Sequence, residues 1–178
     1  MSKKEKTYGF TSSVAIEDRR FIKKTLNDEK GWRSLGYEFR SLGSNAGAEK
    51  LDFVVDMKEQ GELDALFKGH DDLEGLSVTV YSGDDGPPNH IYLNRKNWMD
   101  PPHEFDGDRT AYRAYLVAHE VGHAIGYDHE EPLFAGQSST APCNVMYQQS
   151  KGTRGICAPN ALVSAEVRPS ASERPTFV

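Results

Sequence analysis

The sequence has few of the features that mark membrane-spanning, disulfide-rich or nucleic-acid-binding proteins. Its 178 residues include only two cysteines, too few for the disulfide framework of a small secreted domain. No stretch approaches the roughly 20 apolar residues of a transmembrane helix, so no membrane span is expected. The net charge is −6, which argues against binding to nucleic acid or to anionic lipid. We therefore expect peptide or protein partners.

The N-terminus also lacks the pattern of an export signal. Residues 1–6, MSKKEK, are basic, but the apolar run of about 7–15 residues that follows in a signal peptide is missing. The default expectation is a cytoplasmic protein with free thiols at Cys143 and Cys157, while secretion or association with a particle stays open. If these two cysteines were paired, closing the loop would stabilise the fold by about 3 kcal/mol.

Length and composition predict one globular domain. Hydrophobic residues make up 37% of the chain and charged residues 27%, which suits a domain able to bury its own core. We place this domain at residues 1–168 and expect an extended tail at 169–178, where the composition is typical of disorder.

Hydrophobic periodicity predicts both strands and helices. Alternation with a period of two predicts five strands, at residues 6–12, 36–42, 51–57, 76–82 and 90–95. Helical spacing predicts three helices, at residues 14–30, within 58–69 and from 108 to 126. The first helix is expected to lie on the sheet.

The helix at 108–126 is expected to be the main helix of the domain. Asp106 or Asp108 is suited to cap its N-terminus, and Gly126 can end it in a left-handed conformation. Apolar residues recur along it at helical spacing and predict that it is largely buried. They are Ala114, Val117, Val121 and Ile125.

Three histidines are concentrated at the end of this helix, in AHEVGHAIGYDHE. His119 and His123 are one helical turn apart, so their imidazoles project from the same face and can share one metal ion. After Gly126 the chain can bend back, which lets His129 approach from another direction. Three neutral imidazoles and a water make a tetrahedral catalytic zinc site with one open position.

Glu120 follows the first histidine directly. It is too close in sequence to be a ligand beside His119, but it is placed to take a proton from a zinc-bound water. The histidines at 70, 90 and 103 lie in turn-like segments without ligand spacing, so we expect them at the surface and predict one zinc per chain. Asp84 and Asp85 lack the alternating oxygen ligands of a calcium loop and indicate a solvated turn.

The pattern HExxHxxGxxH at 119–129, followed by Met146 in PCNVMYQQ, resembles the metzincin zinc peptidases. In that family a turn containing methionine lies beneath the zinc as an apolar floor, and the resemblance implies this supporting role for Met146. The lead-in VAHEVGHAIG is similar to matrixins, whereas Glu130 after the third histidine is the astacin-like residue. Gln148 stands where astacins have a tyrosine, so Tyr147 is expected to pack rather than to bind metal.

A resemblance over about residues 14–161 links the chain to an uncharacterised group of bacterial metzincin-like domains. The matching stretches are NDEKGW, NRKNW, YRAYLVAHEVGHAIG and VMYQQSKGTRGIC. This resemblance implies a metzincin-like α/β fold. The expected fold has a twisted mixed sheet of about five strands, a backing helix, an active-site helix and an irregular C-terminal part with the methionine turn. An edge strand, at 76–82 or 90–95, would pair with an extended substrate.

The resemblance implies a zinc-dependent endopeptidase with Glu120 as general base. The alternative is a non-catalytic protein that keeps the zinc for stability and binds partners or assembles through its tails.

Overall fold

A computed structural model describes most of the chain. The described residues are 4–43, 47, 50–83, 86, 88–130, 140–153, 155–163 and 167. The predicted turn at Asp84 and Asp85 and the predicted tail at 169–178 lie outside them.

In the described part of the chain, five strands form one mixed sheet. They are β1 (Lys4–Phe10), β2 (Tyr37–Ser41), β3 (Phe53–Lys58), β4 (Val78–Val80) and β5 (Asn89–Asn94). Their order is β2-β1-β3-β5-β4, and every neighbouring pair is parallel except β4, which runs antiparallel to β5. The five predicted strands are confirmed, although β4 is shorter than its alternation indicated. Because β5 pairs on both sides, the segment 90–95 is not an edge strand, and of the two candidates only β4 lies at an edge.

Within the described residues, four α-helices accompany the sheet. They are α1 (Ile16–Leu26), α2 (Gln60–Leu66), α3 (Arg95–Met99) and α4 (Arg109–Ile125). Short 3₁₀ helices occur at Trp32–Leu35, Asp71–Leu73, His103–Phe105 and Gln149–Lys151.

The first helix ends earlier than predicted, and one helix was not predicted. α1 stops at Leu26, and a turn follows in which Gly31 N–H donates to the Asp28 carbonyl at 3.0 Å. α3 begins after Asn94, whose side chain accepts from the Lys96 N–H at 2.9 Å and so caps the helix. Five residues are too few to show helical periodicity, which is why the cap was the only local signal.

Helix α4 is central to the core. It contacts α1 and also β4 and β5, and ten of its 17 residues are buried, as its apolar spacing predicted. Trp32 and Trp98 are fully buried next to this helix. Each indole N–H is satisfied, since Trp32 donates to the Ala118 carbonyl at 2.8 Å and Trp98 to the Asp18 carboxylate at 2.9 Å.

The expectation of free cysteines is wrong. Cys143 and Cys157 form a disulfide with a Cα–Cα distance of 5.0 Å, within the range that the bond requires. Their chain segments are brought together by a backbone pairing, in which Cys143 N–H donates to the Ala158 carbonyl at 2.8 Å. That pairing is a tertiary contact and leaves no mark on the local sequence.

The helices in the described part of the chain are all too short or too polar to cross a membrane.

Candidate metal centre

Helix α4 carries two of the three histidines and is fixed at both ends. The Asp108 carboxylate accepts from the Ala111 N–H at 2.9 Å and caps the N-terminus. Asp106, the other candidate, instead ends the preceding 3₁₀ helix with a φ of 47°. At the C-terminus Gly126 has a φ of 117°, and Tyr127 N–H donates to the Gly122 carbonyl at 2.9 Å. This left-handed end is what glycine permits.

The bend after Gly126 brings the third histidine to the first two. His119 and His123 lie on one face of α4, with their Nε2 atoms 3.2 Å apart. The His129 Nε2 lies 3.1 Å from that of His123, and ligand atoms of all three residues fall within 4.8 Å of one another. The structure therefore brings the three predicted ligands together into a group that could hold a metal ion.

Hydrogen bonds at the far side of two rings set their tautomers. His119 Nδ1 lies 2.8 Å from the Val145 carbonyl, and His123 Nδ1 lies 2.8 Å from the Tyr127 carbonyl. A carbonyl only accepts, so both Nδ1 atoms carry a hydrogen and donate. In the neutral imidazole this leaves Nε2 with a free lone pair, as in histidines that bind metals.

The spacing of the Nε2 atoms suits a tetrahedral metal. In this tautomer neither His119 nor His123 has a hydrogen on Nε2, so the 3.2 Å approach is not a hydrogen bond between them. A tetrahedral zinc ion with Zn–N bonds of about 2.0–2.1 Å would place two ligand nitrogens about 3.3 Å apart. The donor set therefore fits such an ion.

The electrostatic setting keeps His119, the buried candidate ligand, neutral. Burial lowers the pKa of His119 well below its ordinary value, and His123 and His129 lower it further. His119 is 5% exposed. A neutral imidazole is the form that binds a metal, because the protonated ring offers no lone pair.

Glu120 is buried beside this group. It is 4% exposed, and burial raises its pKa to about 7, against a lowering by the Thr79 hydroxyl. Thr79 Oγ1 lies 2.6 Å from Glu120 Oε2. A carboxyl with a pKa near neutrality suits the transfer of protons in either direction.

A cavity of about 500 Å³ opens at the histidines and Glu120. One wall comes from β4 and the segment before it, with the apolar side chains of Leu73, Leu76 and Val78. The lining also includes Tyr115 on α4 and the segment around Lys151. The three candidate ligands and the carboxylate are therefore accessible from one concave surface, as expected for a ligand site.

The methionine turn lies directly against α4. Met146 is fully buried, and a Cβ added at Gly122 would clash with its sulfur. Its neighbour Val145 provides the carbonyl that accepts from His119. Met146 thus packs under the helix at the level of the histidines.

A second set of hydrogen bonds ties this turn to the loop that carries His129. Glu130 N–H donates to the Met146 carbonyl at 3.1 Å. The Asn144 side chain donates to the Glu130 carboxylate, and its Oδ1 accepts from Met146 N–H at 2.8 Å. Sequence reasoning did not identify Asn144 or Thr79, because both act through contacts between distant segments.

The remaining histidines are dispersed. His70 and His103 are exposed, as predicted. His90 differs from that prediction, because it is half-buried on β5, with its ring 5.5 Å from that of Tyr92. Tyr147 is half-buried, and its carbonyl accepts from the Tyr115 hydroxyl at 3.0 Å.

Comparison with protein families shows where the chain belongs. The model of a family described as "Protein of unknown function (DUF3152)" matches residues 4–163. The chain is a member of the DUF3152 family. The match covers the whole sheet, the three histidines and both cysteines. No curated protein matches this DUF3152 chain.

Proposed function

We propose that this DUF3152 protein is a zinc-dependent endopeptidase of the metzincin type. The observation that carries the proposal is the convergence of three histidine Nε2 atoms and one buried carboxylate on a single cavity. His119, His123 and His129 would hold the metal. Three nitrogen ligands leave one position of a tetrahedral zinc open, which is the arrangement of catalytic rather than structural zinc.

The chemistry is divided between the metal and Glu120. Zinc, when bound, lowers the pKa of water towards neutrality and polarises the substrate carbonyl. Glu120 takes the proton of the attacking water and passes it to the nitrogen of the leaving amine. Its burial in the cavity and its place directly after His119 on α4 support this role.

Two further features support the resemblance to metzincins. Met146 is fully buried against α4 beside the segment that holds His119, as expected for the apolar floor in that family. β4 is an edge strand that runs antiparallel to its neighbour and lines the cavity. An extended peptide can add to such an edge by main-chain hydrogen bonds.

Cleavage of a quenched-fluorescent peptide library by the zinc-loaded protein tests the proposal. Glu120→Ala should keep its fold and its zinc but lose about 10²–10⁴ in rate, because general acid–base assistance is worth that much. Glu17→Ala, at an exposed position on α1, is the control and should cleave like the wild type.

A Glu120→Ala variant as fast as the wild type would rule out this mechanism. If the wild type and Glu120→Ala both bind zinc and neither cleaves any peptide, the chain is instead a non-catalytic zinc protein that binds partners or assembles.

A further inference from the structure

The hydroxyl of Thr79 joins the edge strand to the candidate general base. Its Oγ1 lies 2.6 Å from Glu120 Oε2 and 3.0 Å from the Glu120 backbone carbonyl. Thr79 is half-buried on β4, and both residues line the cavity. One side chain from the sheet therefore contacts both the carboxylate and the main chain of the residue that follows His119.

The hydroxyl has one hydrogen for these two oxygens. The carboxylate is the stronger acceptor and the closer of the two, so the hydrogen bond to Oε2 is the main one. Threonine is branched at Cβ and has few χ1 conformations. Thr79 is also held by the pairing of β4 with β5, opposite Ile91. The position of the hydroxyl is therefore set by the sheet.

The hydrogen bond leaves the two oxygens of the carboxylate unequal. Oε2 is occupied by Thr79, whereas Oε1 makes no hydrogen bond to any other residue that the structure describes. A glutamate has three rotatable bonds, and without a partner its carboxylate would sample several directions. With Oε2 fixed, Oε1 remains the oxygen available to exchange a proton within the cavity.

We propose that Thr79 is the positioning residue that orients the Glu120 carboxylate for proton transfer. This inference rests on the proposed peptidase function. The Thr79 hydroxyl makes its hydrogen bonds to Glu120 and not to the described candidate metal ligands, and it does not take a proton itself. It holds the general base in one orientation and couples that orientation to β4, the strand at which an extended peptide would add.

Three variants test this role in the zinc-loaded protein with a peptide that the wild type cleaves. Thr79→Val removes the hydroxyl at nearly unchanged shape and should lower kcat by about 10- to 100-fold, because small misplacements of reacting groups have effects of that size. KM should change by less than about twofold, since ground-state binding is retained. Thr79→Ser keeps the hydroxyl and should restore most of kcat.

Thr7→Val is a matched control. The Thr7 hydroxyl also has two acceptors, the Lys50 backbone carbonyl at 2.6 Å and the Asp52 carboxylate at 3.0 Å. Thr7, however, lies on β1 outside the cavity. Its loss should leave kcat unchanged. All variants should bind one equivalent of zinc.

Crystal structures of the metal-free variants provide a measurement that does not depend on activity. The Glu120 carboxylate should stay in hydrogen-bond distance of residue 79 in the wild type and in Thr79→Ser, and should turn away or adopt several conformers in Thr79→Val. If Thr79→Val does not fold, Thr79→Ala removes the same hydroxyl.

Two results would overturn the role of Thr79. One is an unchanged kcat in Thr79→Val where Glu120→Ala is inactive, and the other is an unmoved carboxylate in metal-free Thr79→Val. An active Glu120→Ala would instead overturn the peptidase mechanism itself. The structural comparison tests the orientation of Glu120 even if the wild type cleaves no peptide.

Discussion

At the scale of single residues, Gly122 determines how closely the methionine turn approaches α4. Glycine in the middle of a helix costs about 1 kcal/mol relative to alanine, so its presence there calls for a packing reason. A Cβ at this position would lie 2.7 Å from Trp32 Cζ2 and closer still to Met146 Sδ. Only a residue without a side chain lets both neighbours reach the helix.

Gly122→Ala should therefore destabilise the fold and weaken metal binding. Overpacking of this kind costs about 1–3 kcal/mol. Displacing Met146 would also move Val145, whose carbonyl accepts from His119. Urea unfolding of the metal-free protein and zinc competition with a chelator measure the two effects.

Two further variants test whether the steric clash at residue 122 causes the effects of Gly122→Ala. Gly61→Ala, in α2 with nothing within 4 Å of the new Cβ, should not reduce stability. Met146→Leu is nearly isosteric and should cost less than about 1.5 kcal/mol while zinc is retained. Loss of zinc in Met146→Leu at unchanged stability would indicate that the sulfur binds the metal directly, against our assignment.

At the scale of elements, the disulfide closes the segment that contains Met146 and packs against α4. Cys143 and Cys157 are 14 residues apart and enclose the methionine turn and the 3₁₀ helix Gln149–Lys151. Within this loop, Gln149 N–H donates to the Tyr115 hydroxyl at 2.9 Å. The closed loop therefore contains Val145, whose carbonyl accepts from His119, and also Ser150 and Lys151, which line the cavity.

Replacing both cysteines by serine should lower the free energy of unfolding by about 3 kcal/mol, the entropy term for a loop of this length. Zinc affinity should fall as well, because Val145 and Met146 would be less firmly placed. Urea unfolding and chelator competition measure this. A reductant should lower the free energy of unfolding and the zinc affinity of the wild type to those of the double variant, and it should leave the double variant unchanged. If the wild type and the double variant have equal free energies of unfolding without reductant, the disulfide does not stabilise this segment.

The elements also show what sequence patterns can and cannot predict. The five strands and α4 were found because alternation, helical spacing and caps are local signals. The histidine group was predicted for the same reason, since its three candidate ligands lie within 11 consecutive residues. The disulfide and the contact of Thr79 with Glu120 were not found. They join segments 14 and 41 residues apart, and their pairing depends on the course of the whole chain.

At the scale of the whole molecule, the candidate metal site joins parts that are distant in the sequence. His119 Nδ1 donates to the methionine turn and His123 Nδ1 to the chain just after α4. His129 lies on the loop that is bonded to Met146 through Glu130. A metal bound by the three histidines would therefore hold α4, this loop and the turn together.

Zinc should accordingly stabilise the fold as a whole. A ligand that binds only the folded state at a free concentration 1,000 times its Kd adds about 4.1 kcal/mol. For a chain of this size that corresponds to a rise in Tm of roughly 8–16 °C, at about 2–4 °C per kcal/mol. Calorimetry with and without a chelator, combined with elemental analysis, measures both the rise and the bound metal.

His123→Ala tests whether the histidines are responsible for this stabilisation. His123 is central to the group, since its Nε2 lies near both of the others. The variant should bind no zinc, and its Tm should not respond to zinc or chelator. His103→Ala, at an exposed position outside the group, should behave like the wild type in both measurements. A His123→Ala protein that keeps a full equivalent of zinc, or a wild type that takes up none, would refute the metal site, because we propose these three rings as the metal ligands.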